Sequence, residues 1–220
     1  MLATAPLPTA PITQTCTLTN ISWPTYQALL RDMGDHRAAR LSYTQGHLHI
    51  KMPSKLHELI NRLLARLVTT LTEELNLDIV DLGSTTLQRE DLAKGVEPDT
   101  CFYIQNAPQL QGVDPTIPPD LPPDLVIEVD ITSPSTQRMD IYQQLGVPEL
   151  WCYTQQQGLL IYHLQPSSTY TLVSHSPTFP FLSSEKINTL IQSRQTQPEN
   201  TVIRTFRQWL QANPITGYLD

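Results

Sequence analysis

Glycine is scarce in this chain, at 8 of 220 residues. None falls in a Gly-x-Gly-x-x-Gly or Gly-Lys-Ser/Thr setting, which excludes a Rossmann or P-loop nucleotide site. Cysteine is scarcer still. Cys16, Cys101 and Cys152 stand far apart with no CxxC spacing, so neither a disulfide framework nor a zinc ribbon is indicated, and a reducing, cytoplasmic setting is expected. Basic residues are outnumbered, 14 Lys plus Arg against 21 Asp plus Glu, for a net charge of −7. That balance lacks the broad basic face of a nucleic-acid coat protein, yet it leaves room for an enzyme whose site is itself a set of carboxylates. No apolar run is long enough to cross a bilayer. The first residues lack a basic n-region, so no signal peptide is expected. Ser133 and Ser135 lie outside any Gly-x-Ser-x-Gly elbow, against a serine hydrolase. His47 and His49 share a strand face but have no third ligand at a recognisable spacing, against zinc.

What is present reads as one α/β domain. Apolar residues make up 40% of the chain, enough at this length to close a core. Residues 1–15, rich in Pro, Ala and Thr, are expected to form a flexible arm. The domain would then run from 16 to 220, with a core over 41–175 and C-terminal helices over 184–212. Ser22, Pro24 and Gly34 mark the start and stop of a short helix. Leu41 to Lys51 reads as a hairpin turning at Gln45-Gly46. Ser54 caps the strongest helical pattern, in which Leu56, Leu59, Ile60, Leu63, Leu64, Leu67, Val68, Leu71 and Leu75 share a face. Strands are expected over Leu77–Leu87, over the TCFYI run that follows Asp99, and over Leu125–Ile131. Ser133-Pro134-Ser135 should stop the last of these and cap a helix from Thr136 to Leu145. A strand pair, Glu149–Tyr153 and Leu159–Leu164, follows, then an edge strand near Tyr170 and helices over Ser184–Gln192 and Val202–Ala212. The order implies a mixed central sheet flanked by helices.

The chemistry-bearing signal lies in the strands. Asp and Glu are poor strand formers and costly to bury, yet Glu128 and Asp130 sit within LVIEVDI, two apart and therefore on one face. Asp99 opens a neighbouring candidate strand. Carboxylates converging at strand ends repel unless a cation neutralises them, and oxygen-only ligands suit Mg²⁺ or Mn²⁺. The alternative is structural: Asp99 caps the turn after Pro98, and Glu128 pairs with an arginine.

The string VEPDTCFYI … PPDLVIEVDITSPSTQRMDIYQQLGVPELWCY resembles the core of the Uma2-type family. These are bacterial domains classed with restriction endonucleases of the PD-(D/E)xK nuclease superfamily. The resemblance spans Leu41 to Tyr162 and implies a restriction-endonuclease-like fold, a metal-dependent hydrolysis of DNA phosphodiesters, and a homodimer, with no membrane association. It places the metal acids on Asp99 and Glu128. The lysine that stands two places after that Glu in the superfamily is replaced by Asp130. The family's alternative lysine, in the next helix one turn before a Tyr, is replaced by Arg138, one turn before Tyr142. Arginine stays protonated and cannot activate water as lysine can, although Arg138 could stabilise a phosphate that Tyr142 helps to position. An acid that many members carry before the hairpin turn is also missing, which makes Glu58, or Asp130, the candidate to complete the metal shell. Neighbouring His57 matches a recurring family histidine, and its simpler reading is a solvated first turn. Lys51, Lys55, Arg62 and Arg66 form a modest basic stripe and, with Arg89 and Lys94, could track a phosphate backbone. A catalytically degenerate nuclease fold that binds DNA or protein is the competing reading.

Overall fold

Ser22 and Ser54 each stand one position ahead of a helix and cap it with the side-chain oxygen, as their small hydroxyls predict. In α1 (Trp23–Met33) the Thr25 N–H donates to Ser22 Oγ at 3.2 Å. In α2 (Lys55–Glu74) the His57 N–H donates to Ser54 Oγ at 3.3 Å. The computed structural model describes residues 14–34, 37–118, 120–131 and 136–213. Most of the proposed arm and the expected Ser133-Pro134-Ser135 cap therefore lie outside the described residues. Gln14 and Thr15, assigned to that arm from composition, belong to a strand.

Among the described residues, eleven strands form two sheets. The first contains β1 (Gln14–Leu18), β2 (Arg40–Thr44), β3 (His47–Met52), β5 (Leu87–Arg89) and β6 (Lys94–Val96), in the order β1-β3-β2-β6-β5 and antiparallel throughout. The β2–β3 hairpin closes on two residues with positive φ, Gln45 at 48° and Gly46 at 81°, as a right-twisted two-residue turn requires. The second contains β4 (Val80–Gly83), β7 (Thr100–Tyr103), β8 (Leu125–Val129), β9 (Glu149–Thr154), β10 (Gly158–Leu164) and β11 (Tyr170–Val173), in the order β11-β10-β9-β8-β7-β4. Its one parallel pair is β8 with β9, and the crossover between them carries α3 (Thr136–Leu145). This is the expected mixed sheet. The separate five-stranded sheet was not foreseen. Its β5 and β6 strands are too short to show a period, and the run Leu77–Leu87, read as one strand, is divided between the two sheets.

Two cores hold the layers. Leu63, Leu64, Leu67, Val68 and Leu71 of α2 pack against Phe102, Leu125, Ile127 and Val129 of the six-stranded sheet, together with α4 (Ser184–Ser193) and α5 (Glu199–Ala212). On the opposite face, Ile141 and Tyr142 of α3 pack with Leu87 and Val96 of one sheet and Cys101, Val126 and Leu150 of the other. Helix α3 is thus wedged where the two sheets meet. At the outer end, Gly95 accommodates Tyr26, because a Cβ there would lie 2.8 Å from the ring's Cε1. Tyr26 in turn stacks on Tyr43 at 5.1 Å. Among the described residues, no helix is long and apolar enough to cross a membrane.

Candidate active site

At the seam of the sheets, five elements deliver charged groups to one buried point. Strand β3 alternates, turning Leu48 and Ile50 toward α1 and Lys51 to the other face. The Ser54 cap fixes the first turn of α2 and sets His57 inward. Asp99 ends the bend that leads into β7, and Glu128 and Asp130 emerge at the end of β8. Helix α3 contributes Arg138 and Tyr142. Lys51, His57, Asp99, Glu128, Arg138 and Tyr142 are all buried.

Each carboxylate is held by one of its oxygens and left open at the other. Asp99 Oδ2 takes the Lys51 ammonium at 3.1 Å, His57 Nε2 at 2.8 Å and the Val129 N–H at 2.8 Å. Glu128 Oε1 takes the Arg138 guanidinium at 2.7 Å and the Tyr142 hydroxyl. Asp99 Oδ1 and Glu128 Oε2 are buried with no hydrogen-bond partner. Such orphaned acceptors are rare in protein interiors and call for an explanation. Lys51 Nζ stands among the acids, donating also to Asp130 Oδ1 and the Val129 carbonyl, both at 2.9 Å, with Glu128 Oε2 at 3.7 Å. The cluster opens to solvent at Asp130, whose side chain is 18% exposed. A crevice of about 10 Å³ lies beside Glu128, Asp130 and Arg138, roughly the space for one water molecule or a bare ion.

The charges set the titration. Burial works against the Asp99 carboxyl's ionisation, but Lys51, the His57 hydrogen bond and Arg138 outweigh it and hold the group well below the usual carboxylate range. Glu128 goes the other way. Its burial dominates, the neighbouring acids add to it, and despite Arg138 and Lys51 its carboxyl is pushed up to about 8. Burial would lower the Lys51 ammonium, yet the surrounding carboxylates raise it, so it stays charged. With the Glu128 carboxyl pushed up to about 8, Asp99 and Asp130 face Lys51 and Arg138 without an excess of charge, and a cation held between Asp99 and Glu128 would take the place of the Glu128 proton.

Two further groups steady this arrangement. Glu97, just ahead of Pro98-Asp99, accepts the Leu41 N–H at 2.7 Å and the Thr86 hydroxyl at 3.0 Å, and pairs with Arg37. Its own carbonyl accepts from Arg138. Asn61 donates to the Asp99 carbonyl at 3.1 Å and accepts from Thr100 at 2.9 Å.

Of the residues singled out from the sequence, Asp99, Glu128, Asp130, Arg138 and Tyr142 converge. Glu58 does not join them; it is half-exposed, with its carboxylate 3.7 Å from His57 Nδ1, the ring nitrogen turned away from Asp99. Among the described residues, no group of three or more His, Cys, Asp or Glu side chains is placed to hold a metal ion; of the two candidates for a third carboxylate, Glu58 faces His57 instead, and Asp130 lies in the cluster on Lys51. Lys55 and Arg62 are exposed on α2, whereas Lys94 is buried in β6. A buried side chain is withdrawn from any surface phosphate, and Lys94 drops out of the cations expected to track a phosphate backbone. Two residues were missed. Lys51 was read as part of the basic stripe and His57 as a solvated first turn; the alternation HLHIKM, which sets Lys51 opposite Leu48 and Ile50, was the available signal.

The comparisons with known proteins bear on the family and the fold. No curated protein matches the chain. Among solved structures, a putative nuclease belonging to DUF820 from Anabaena variabilis superposes with a TM-score of 0.54 at 15% identity, covering 77% of this chain and 98% of that one. At that identity the likeness is one of fold. The model of the Uma2 family, described as "Putative restriction endonuclease", matches residues 23–197. That span includes every charged group of the buried cluster, and the chain belongs to the Uma2 family.

Proposed function

We propose that the chain is a metal-dependent nuclease that hydrolyses DNA phosphodiester bonds, with Asp99 and Glu128 holding Mg²⁺ or Mn²⁺. The observation that carries the reading is the pair of orphaned oxygens, Asp99 Oδ1 and Glu128 Oε2, buried beside a permanent cation pair. Two carboxylates suffice for such an ion, since Mg²⁺ keeps several waters and takes its remaining oxygens from substrate phosphate. When bound, the ion offsets charge building on the phosphate oxygens and makes a water more acidic.

The chain's own groups do the rest. Arg138 and Tyr142 fix Glu128 Oε1 and so keep Oε2 turned to the site. His57 and the Val129 N–H do the same for Asp99. Lys51, held protonated by its carboxylate neighbours, fills the part of the lysine absent after Glu128. As an ammonium it donates rather than accepts, so it orients a water or stabilises charge on the phosphate. The adjacent Arg138 adds a second fixed positive charge. Lys55 and Arg62, both exposed on α2, are available to the DNA backbone. Cutting both strands calls for two sites, and the proposal includes a homodimer.

The absence of a three-residue cage among the described residues favours one competing reading, a degenerate fold in which Lys51 has permanently replaced the metal. Plasmid cleavage separates the two. Wild type should nick supercoiled DNA in Mg²⁺ or Mn²⁺ and Glu128→Gln should not. No cleavage by wild type, or equal cleavage by both, would leave only the binding module.

A further inference from the structure

One groove in the described structure has no part in the cluster. It measures about 680 Å³ and lies between the start of α2, the β9–β10 turn and the end of α4. Its floor is apolar. Leu56 and Leu59 lead into it, and Leu59 is 45% exposed on a helix whose other apolar positions are mostly buried. Tyr153 supplies an aromatic wall. The rim carries five glutamines, among them Gln156 on the turn and Gln192 at the end of α4, and none of the five side-chain amides bonds to protein among the described residues. No Asp or Glu lines the groove, although the chain has 21 of them, and Arg194 does.

Two covalent or hydrogen-bonded links tie the groove to the cluster. Leu56 precedes His57, whose Nε2 meets Asp99. The Tyr153 carbonyl accepts the Asp130 N–H at 2.8 Å.

We propose that this groove is a nucleobase subsite, which takes an unpaired base from the strand whose phosphate lies at Asp99 and Glu128. This rests on the nuclease reading and extends it. An apolar floor with a Tyr wall takes the face of a base, since every base has a π surface. A glutamine amide offers a donor and an acceptor side by side, matching a base edge such as adenine N6 and N7. The acid-free rim with Arg194 spares the approaching phosphates a repulsion that most of this acidic surface would impose. A base stacked in duplex cannot reach a concave site of this kind, so the substrate feature recognised is a single-stranded or extruded nucleotide. Pocket size agrees, falling within the roughly 300–1,000 Å³ of small-ligand sites.

The test is fluorescence anisotropy with labelled single-stranded and blunt-duplex oligodeoxynucleotides, in EDTA to stop cleavage. The proteins are wild type, the double variant Gln156→Ala with Gln192→Ala, and Leu59→Glu. All three positions are exposed, and unchanged melting temperatures verify the fold. Wild type should bind the single strand more tightly than the duplex, and each variant should weaken single-strand binding by about tenfold while leaving duplex binding alone. Wild-type binding with unaltered variants, or an equal loss on both DNAs, overturns the subsite and leaves the nuclease reading standing. No binding of either DNA by wild type overturns the subsite and points to a peptide or other occupant of the groove, while the nuclease reading then stands or falls on the cleavage assay in Mg²⁺ or Mn²⁺.

Discussion

Lys51→Met keeps the length of the side chain and removes only its charge. The ammonium is the shared partner of Asp99, Asp130, Glu128 and the Val129 carbonyl, at 2.9–3.7 Å, and its side chain is 9% exposed. Removing one member of a buried ionic cluster typically costs about 3–5 kcal/mol, because the remaining charges are left uncompensated. For a chain of this size that corresponds to a fall in Tm of about 6–20 °C. Glu128, whose carboxyl is already pushed up to about 8, has little charge left to shed, so its protonation offsets little of the loss. Scanning calorimetry in EDTA measures the fall. Repeating it in Mn²⁺ is more telling, because the ammonium competes for the same carboxylate oxygens. Mn²⁺ should stabilise Lys51→Met more than wild type, each by an amount set by the metal's affinity. The reasoning is refuted if the variant melts with wild type in EDTA, or if Mn²⁺ raises the variant no more than wild type.

Other outcomes follow from the same geometry. Arg138→Lys should not improve cleavage, because Lys51 already supplies an ammonium and a lysine cannot span both Glu128 and the Glu97 carbonyl; losing charged hydrogen bonds worth about 1.5–3 kcal/mol lowers the rate about ten- to a hundredfold. Mn²⁺ affinity, measured by calorimetry, should rise between pH 6 and 8. Glu128 is raised from 4.5 to about 8, so the metal-free fold holds its proton at neutral pH and its contribution to stability declines as the pH climbs through that value. The groups facing Glu128 that set this are Lys51 from β3, Arg138 and Tyr142 from α3, Cys152 from β9, and the acids Asp99 and Asp130. A pH-independent affinity would contradict the assignment. Gly95→Ala should destabilise the fold by about 1–3 kcal/mol in urea, since the new Cβ forces Tyr26 off its stack and overpacking costs that much.

Local chemistry made much of this site legible. Two acids at alternate positions of an apolar strand must share a face, and β8 delivers Glu128 and Asp130 as that period requires. Ser22 and Ser54 announced their helices because a small hydroxyl at a helix start satisfies a free N–H. Asp99 was legible as the acid that opens the neighbouring strand, and the family resemblance added Arg138 and Tyr142. What escaped depends on tertiary register. Lys51 lies 48 residues from Asp99 and 79 from Asp130, and nothing local says that the β2–β3 hairpin folds against β7 and β8. His57 looked solvated because first-turn residues usually are, and only the packing of α2 across the sheet buries it. Lys94 looked like a surface cation because its three-residue strand shows no alternation to reveal which way it turns. β1, exposed along its whole length, carries no buried face from which a strand could be read.

The central claim is that Asp99 and Glu128 hold one divalent ion between them. Isothermal titration of Mn²⁺ into wild type, Asp99→Asn and Glu128→Gln tests it directly. One site per chain in wild type, lost in both variants while their melting profiles remain cooperative, is the result the account predicts. Undiminished Mn²⁺ binding in either variant, or none in wild type, would contradict it.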